Sequence, residues 1–180
     1  MPPRHTKSEF ASFLFPAWFL GRYPEKKIIQ TAHTAELAVG FGRKVRNLIG
    51  QEDFQQVFPG IELSSDSKAA GRWNTNKRGD YFAIGVGGAV TGKGADVLII
   101  DDPHSEQEAA LGAYNPEVYD KVYEWYTSGP RQRLQPGGSI IIVMTRWSTR
   151  DLTGKIIKSV TQKEGVDDWE VIELPAIMPS

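Results

Sequence analysis

The stretch Val97-Leu98-Ile99-Ile100-Asp101-Asp102-Pro103 decides the fold class. Four consecutive β-favouring apolar residues predict a strand that is buried on both faces, as in a parallel sheet covered by helices. Two carboxylates follow at the carboxyl end of this strand, which is the edge where open α/β sheets bind ligands. The stretch therefore predicts a central strand that brings Asp101 and Asp102 to a binding site. The alternative is that an aspartate here only caps a turn before Pro103.

Helical and strand patterns alternate on both sides of this stretch. Strands are predicted at 26–32, 81–86, 139–144 and 169–174, and helices at 7–20, 35–49, 116–128 and 151–160. Thr34 is the predicted N-cap of the second helix, and Gly50 follows its end. Residues 51–79 are polar and poorly patterned, with room for short strands. The alternation indicates an α/β sandwich of three layers with a mainly parallel central sheet.

The composition limits the class of protein without identifying it. A length of 180 residues fits one domain, or one domain with a tail. The formal net charge of −1 argues against a dedicated nucleic-acid coat, although a local basic patch could still grip a phosphate backbone. The absence of cysteine excludes disulfides, thiolate metal sites and a cysteine nucleophile. The apolar stretch 10–20 is too short to cross a bilayer, so a cytoplasmic location is expected.

Residues 1–8 have some features of a phosphate-binding loop. Such a loop needs a lysine for the β- and γ-phosphates and a hydroxyl for Mg²⁺, and Lys7-Ser8 supplies both at a predicted helix start. Met1 and Thr6 stand where the usual glycines would be, and the same residues would also suit an ordinary solvated helix start. No residues remain for the buried strand that leads into such a loop, so we expect an N-terminal truncation.

The strand 139–144 is followed by Thr145-Arg146-Trp147. A hydroxyl and a guanidinium at this edge could sense a γ-phosphate, although a surface salt bridge and a packed tryptophan would explain the same residues. Lys7-Ser8, Asp101-Asp102 and Thr145 occur in the order that a P-loop ATPase requires. In such an enzyme Asp101 holds Mg²⁺, often through water, and Asp102 orients or deprotonates the attacking water.

Four segments together resemble the phage terminase large subunits. They are Pro2–Glu9, Thr31–Ala38, Thr91–Pro103 and the region from Arg131 to Gly154. The similarity extends over about residues 2–175. It implies a P-loop NTPase fold that lacks its first strand here, with ATP and Mg²⁺ as cofactors. It also implies a motor that drives double-stranded DNA into a procapsid in the host cytoplasm. The partners implied are the portal protein, the terminase small subunit and further copies in a ring, with no membrane.

The resemblance also assigns roles to individual residues. It implies ATP contacts from five residues of the first segment, Arg4, His5, Thr6, Lys7 and Ser8. Ser8 and Asp101 would hold Mg²⁺, and Asp102 occupies the position of the catalytic carboxylate. Thr145 would belong to the motif that couples hydrolysis to movement, and Arg4 would stabilise charge in the transition state. Thr6 replaces a family glycine, and its Cβ disfavours the positive φ that glycine allows.

The resemblance divides the chain into an ATPase domain, residues 1–163, and residues 164–180 as a last strand and the start of a linker. The linker would lead toward a nuclease domain for which these residues show no match. Activity of the 180 residues on their own is not expected. Two alternatives remain. Another P-loop DNA motor of helicase type would share Lys7, Asp101 and Asp102 but lack the block 145–147. A non-catalytic DNA- or capsid-binding module with a decayed ATPase fold would explain Thr6 and the missing strand.

Overall fold

The alternating pattern produces six strands and a set of mostly short helices. A computed structural model describes residues 5–90, 92, 94–112, 114–162 and 167–173. The strands are β1 Lys27–Ala32, β2 Leu63–Ala69, β3 Arg72–Thr75, β4 Asp80–Gly85, β5 Ala95–Asp101 and β6 Leu134–Val143. The α-helices are α1 Phe15–Arg22, α2 Ala35–Ile49, α3 Glu52–Val57, α4 Glu106–Gly112, α5 Glu117–Ser128 and α6 Leu152–Thr161. A π-helical segment, Glu9–Leu14, precedes α1, and a 3₁₀ turn, Pro130–Arg133, precedes β6. No helix in the described ranges is both long enough and apolar enough to cross a membrane.

The six strands form one mixed sheet in the order β2-β3-β4-β1-β5-β6. Strands β4, β1, β5 and β6 run parallel, while β3 is antiparallel to both β4 and β2. The register pairs Ala32 with Asp101 and Asp101 with Val143, so the carboxyl ends of β1, β5 and β6 meet at one edge. The predicted mainly parallel sheet is confirmed, with an antiparallel hairpin added at one side.

Apolar residues on alternate positions of the central strands build two cores, one on each face of the sheet. Ile28 and Ile99 belong to the first core, which α1, α2 and α3 cover. Ile29, Leu98 and Ile100 belong to the second core, which α5 and α6 cover. Helices therefore cover both faces of the central sheet, and this confirms the expected three-layer α/β arrangement.

Helix α2 agrees with its sequence signals at both ends. It spans Ala35–Ile49, and the Thr34 hydroxyl accepts a hydrogen bond from the Leu37 N–H at 3.2 Å. Gly50 follows the last helical residue, as predicted. The helical spacing of the apolar residues predicts that Leu37 is buried, but Leu37 is 46% exposed, and the neighbouring Ala38 packs into the first core instead.

The first helix follows the predicted range but buries a different face from the one that the helical spacing of Phe10, Phe13, Leu14 and Trp18 predicts. Helical residues run without a break from Lys7 to Arg22, and Pro16 lies inside this run, directly after the π-helical segment Glu9–Leu14. A π-helical segment departs from the i→i−4 hydrogen-bond pattern, in which a proline has no N–H to donate. Phe10, Leu14 and Trp18 are the large apolar residues left exposed, with 40–62% of each accessible. Ser12 is fully buried instead. The burial of this hydroxyl is explained by the site described below.

The predicted strand at 169–174 is wrong over its described part. Residues 167–173 take no regular structure, and Leu174 lies outside the described residues. Side-chain contacts hold this segment in place of strand pairing: Asp167 forms an ion pair with Arg131 at 2.8 Å, and Trp169 packs against the second core. Helices α3 and α4 were not predicted. The proposed domain division at residues 163 and 164 lies outside the described residues.

Candidate functional site

The side chain of Lys7 is held between two residues at the carboxyl edge of the sheet. Its ammonium donates to Asp102 Oδ1 and to Thr145 Oγ1, both at 2.8 Å. The Thr145 N–H donates to the same Asp102 oxygen at 3.0 Å. Only 9% of the Lys7 side chain is exposed, against 39% for Asp102. The ammonium is therefore enclosed, while the carboxylate still reaches solvent.

The pairing of β5 with β6 explains why Asp102 and Thr145 meet. Asp101 is in register with Val143, and the Asp102 N–H donates to the Val143 carbonyl at 2.8 Å. The segments that follow β5 and β6 therefore leave the sheet next to each other, which brings Asp102 close to Thr145. Asp102 has a φ of +39°, a region that residues other than glycine rarely occupy. Such backbone outliers cluster at functional sites, and this one lies directly beside Lys7.

Asp101 is bonded through both carboxylate oxygens to hydroxyls of the first helix. Ser8 Oγ donates to Oδ1 at 2.9 Å, and Ser12 Oγ donates to Oδ2 at 2.5 Å. Gln30 Nε2 in turn donates to Ser12 Oγ at 3.2 Å, which leaves the single Ser12 hydrogen for Asp101. Burial raises the pKa of the Asp101 carboxyl above its usual value, although the two hydroxyls oppose this effect.

Thr6 enters the first helix in a left-handed backbone conformation. Its φ is +62°, and its carbonyl accepts the Phe10 N–H at 3.1 Å in the first turn. Its hydroxyl donates to the His5 carbonyl at 2.6 Å, and both residues are exposed. A positive φ is therefore present at the position where the resemblance expects glycine, and a β-branched residue occupies it at a steric cost. Arg4 lies outside the described residues.

The fully buried carboxylate of Asp151 organises the chain after Thr145. Its Oδ2 accepts from Arg146 Nε at 3.1 Å and from the N–H groups of Trp147 and Ser148 at 2.9 and 3.1 Å. Its Oδ1 accepts from the Gly154 N–H at 2.8 Å and so caps α6. Burial alone would raise the pKa of Asp151, but these donors outweigh it and the pKa lies below the usual value.

The structure thus brings five predicted site residues together, namely Lys7, Ser8, Asp101, Asp102 and Thr145. The Arg146 guanidinium instead bonds Asp151, in line with the simpler salt-bridge interpretation, and Trp147 is 41% exposed rather than packed.

Sequence reasoning missed Ser12, Gln30 and the role of Asp151. Weak signals existed: Ser12 follows Ser8 by about one helical turn, and Gln30 is a polar residue that directly follows two isoleucines in a strand.

Comparisons with known proteins bear on the fold. No protein-family model matches the sequence, and no curated protein matches it. The fold is an α/β arrangement around a mostly parallel sheet, as in nucleotide-binding proteins. It is similar to the crystal structure of the HK97 bacteriophage large terminase, with a TM-score of 0.52 and 15% sequence identity. The match covers 90% of this chain and 32% of that chain, so these residues span about a third of the terminase. At this identity the similarity establishes a terminase-like fold.

Proposed function

We propose that this chain forms the ATP-hydrolysing motor domain of a phage DNA-packaging enzyme, a terminase large subunit. The observation that carries the proposal is the convergence of Lys7, Asp102 and Thr145, which come from three separate elements. Ser8 and Asp101 form a second pair beside them. These residue types, at the carboxyl edge of a parallel sheet in a terminase-like fold, suit the binding and cleavage of a nucleoside triphosphate.

The start of the first helix is the proposed phosphate site. Lys7 supplies an enclosed ammonium, and free N–H groups in the first helical turn favour an anion. Lys7 can exchange its contacts to Asp102 and Thr145 for oxygens of the β- and γ-phosphates. His5, Thr6 and Ser8 would line the same loop. Arg4 would place its positive charge next to the negative charge that develops on the phosphate oxygens in the transition state.

The Ser8–Asp101 pair fits a Mg²⁺ site. A hydroxyl and a carboxylate oxygen are hard donors of the kind that Mg²⁺ prefers, and Mg²⁺ usually completes its shell with phosphates and water. Among the described residues there is no group of three or more His, Cys, Asp or Glu side chains that could enclose a metal unaided. When bound, Mg²⁺ neutralises charge on the phosphates. Ser12 holds Asp101 Oδ2, which leaves Oδ1 directed toward Ser8.

Asp102 is the proposed catalytic carboxylate. It remains 39% exposed, so a water molecule can reach it, and the Thr145 N–H fixes one of its oxygens. Asp102 would orient this water and accept its proton. Thr145 contacts both Lys7 and Asp102, so a movement of either side chain would shift Thr145 and the segment that follows it. We propose that this contact couples hydrolysis to movement of double-stranded DNA. The portal protein, the terminase small subunit and a ring of further copies would complete the machine.

ATP turnover with Mg²⁺ and linear duplex DNA tests this proposal in the complete protein. We expect turnover that DNA stimulates. Asp102→Asn should lower turnover by about 10²- to 10⁴-fold because it removes the proton acceptor. Asp53→Asn, an exposed carboxamide substitution on α3, is the matched control and should turn over ATP normally. Turnover of Asp102→Asn equal to that of the control would move the catalytic base elsewhere. No turnover in the wild-type protein would favour the non-catalytic module.

A further inference from the structure

His104 lies in the loop after β5, two residues beyond Asp102, and none of the roles above uses it. The residue is only 3% exposed. Its ring meets the ring of Tyr119 on α5 edge to face, with centroids 5.0 Å apart and planes at 83°. The imidazole is therefore held in a defined orientation inside the protein rather than left as a solvated side chain.

The one hydrogen bond that the structure shows for the imidazole reaches across the chain to α6. His104 Nε2 accepts the N–H of Leu152 at 3.0 Å. Leu152 is the first residue of α6, and an N–H at this position has no partner within its own helix. The neighbouring Asp151 carboxylate is engaged by Arg146 and by other N–H groups. His104 therefore satisfies a helix-start donor from a distant element.

This bond makes a pair with the bond between Asp102 and Thr145. The segment 145–152 is tied at its first residue to Asp102 Oδ1 and at its last residue to His104 Nε2. Both anchors belong to the three-residue stretch 102–104. Between these two bonds, the Asp151 carboxylate accepts hydrogen bonds from the N–H groups of Trp147 and Ser148 in the same segment. Thr145 therefore lies in a segment whose first and last residues are both held by the stretch 102–104.

The bond requires a neutral imidazole with its hydrogen on Nδ1, because a protonated Nε2 cannot accept. Burial lowers the pKa of His104, while the carboxylates of Asp151 and Glu108 act in the opposite direction. Nδ1 has no hydrogen-bond partner among the described residues. The bond from the Leu152 N–H is thus the one hydrogen bond that the structure shows for this ring.

We propose that His104 is a positioning residue of the ATPase site, which fixes segment 145–152 so that the Thr145 N–H stays bonded to Asp102. This role rests on the proposed ATPase function. It is distinct from a purely structural role because the effect must pass through the Leu152 bond to Thr145, and so must appear in turnover rather than in nucleotide affinity.

Two variants of the complete protein separate these roles. His104→Gln places an amide oxygen about where Nε2 lies, whereas the shorter side chain of His104→Asn cannot reach Leu152. We expect His104→Asn to speed hydrogen exchange at the Leu152 amide. It should lower ATP turnover on the order of 10- to 100-fold because the site is displaced, with an unchanged Kd for Mg·ATP. His104→Gln should restore both the amide protection and most of the turnover.

Equal losses of turnover in the two variants, in proportion to their melting temperatures, would overturn the proposal and leave His104 as a packing residue. Normal Leu152 protection in His104→Asn would overturn it as well. Absence of turnover in the wild-type protein would instead refute the proposed function, and with it the catalytic part of this role. Hydrogen exchange at the Leu152 amide would still show whether His104 holds the first residue of α6 against the loop that follows β5.

Discussion

At the scale of single residues, Thr6 carries the clearest conflict between local preference and structure. Its φ of +62° is a left-handed conformation, which costs a residue with a Cβ about 1–2 kcal/mol. Thr6 directly precedes Lys7, so this conformation sets where the helix and its lysine begin. The strain is therefore located where the phosphate loop is proposed.

Replacing Thr6 with glycine should relieve this strain. Glycine takes the same φ freely, but it also gains entropy in the unfolded chain, so we expect a net gain of about 0.5–1 kcal/mol in the free energy of unfolding. Urea denaturation measures this change. Thr127→Gly on α5, where the backbone is already helical, is the matched control and should lose about 0.5 kcal/mol of helix propensity. An equal loss in Thr6→Gly would show that Thr6 is unstrained.

The residues of the site could be predicted to different degrees. Lys7 and the Asp101-Asp102 pair are recognisable because residue type and chain order suffice to suggest their chemistry. Ser12 could not be chosen in the same way, because its role depends on how the first helix lies over β1 and β5. His104 gave no signal at all, since its partner Leu152 is 48 residues away.

At the scale of elements, Asp151 links the chain after β6 to the start of α6. Its buried carboxylate caps α6 by accepting the Gly154 N–H. It also accepts hydrogen bonds from the Arg146 side chain and from the N–H groups of Trp147 and Ser148. Because its pKa is lower in the folded protein than in the unfolded chain, the ionised form stabilises the fold. This contribution is complete above the ordinary carboxyl pKa of about 3.9 and is lost as the pH falls through the folded-state pKa.

Asp151→Ala should therefore destabilise the protein most at neutral pH. We expect a loss of about 2–4 kcal/mol at pH 7, because several buried donors lose their acceptor. The difference from wild type should shrink below about pH 4 as Asp151 becomes protonated. Asp101, whose pKa is raised, acts in the opposite direction but is present in both proteins. Denaturation at several pH values measures the difference, with the exposed Asp53→Ala as control. A loss that does not vary with pH would contradict this role.

Elements with local signals at both ends were predicted well. Helix α2 has Thr34 before it and Gly50 after it, and β5 is a continuous apolar run. The segment 169–173 shows the limit: its apolar residues suggested a strand, yet strand formation requires a neighbouring strand that sequence pattern cannot supply. The first helix shows another limit, because its inward face includes Ser12, and the spacing of apolar residues does not reveal the buried bond from Ser12 to Asp101.

At the scale of the whole molecule, the parallel order of β1, β5 and β6 creates the site. Lys7 lies 95 residues from Asp102 and 138 residues from Thr145 in the chain, yet it contacts both. Parallel strands place their carboxyl ends at one edge, so this gathering follows from the topology. The sequence predicted the edge. It did not predict the β2–β3 hairpin, whose polar residues lack a clear alternation.

The similarity to the HK97 terminase and the geometry of the site support the proposal in different ways. At 15% identity the similarity shows a shared fold. The chemistry depends on whether Lys7 and its neighbours hold a nucleotide, since folds of this kind serve many functions.

Calorimetric binding of Mg·ATP to the complete wild-type protein, to Lys7→Ala and to Lys121→Ala tests the central claim most directly. Lys121 is an exposed lysine on α5 and serves as the control. We expect Mg²⁺-dependent binding to the wild type and to the control, and a Kd raised about 10- to 100-fold in Lys7→Ala because a charge-assisted phosphate contact is lost. Equal affinity in all three proteins, or no binding to the wild type, would show that this edge of the sheet is not a nucleotide site.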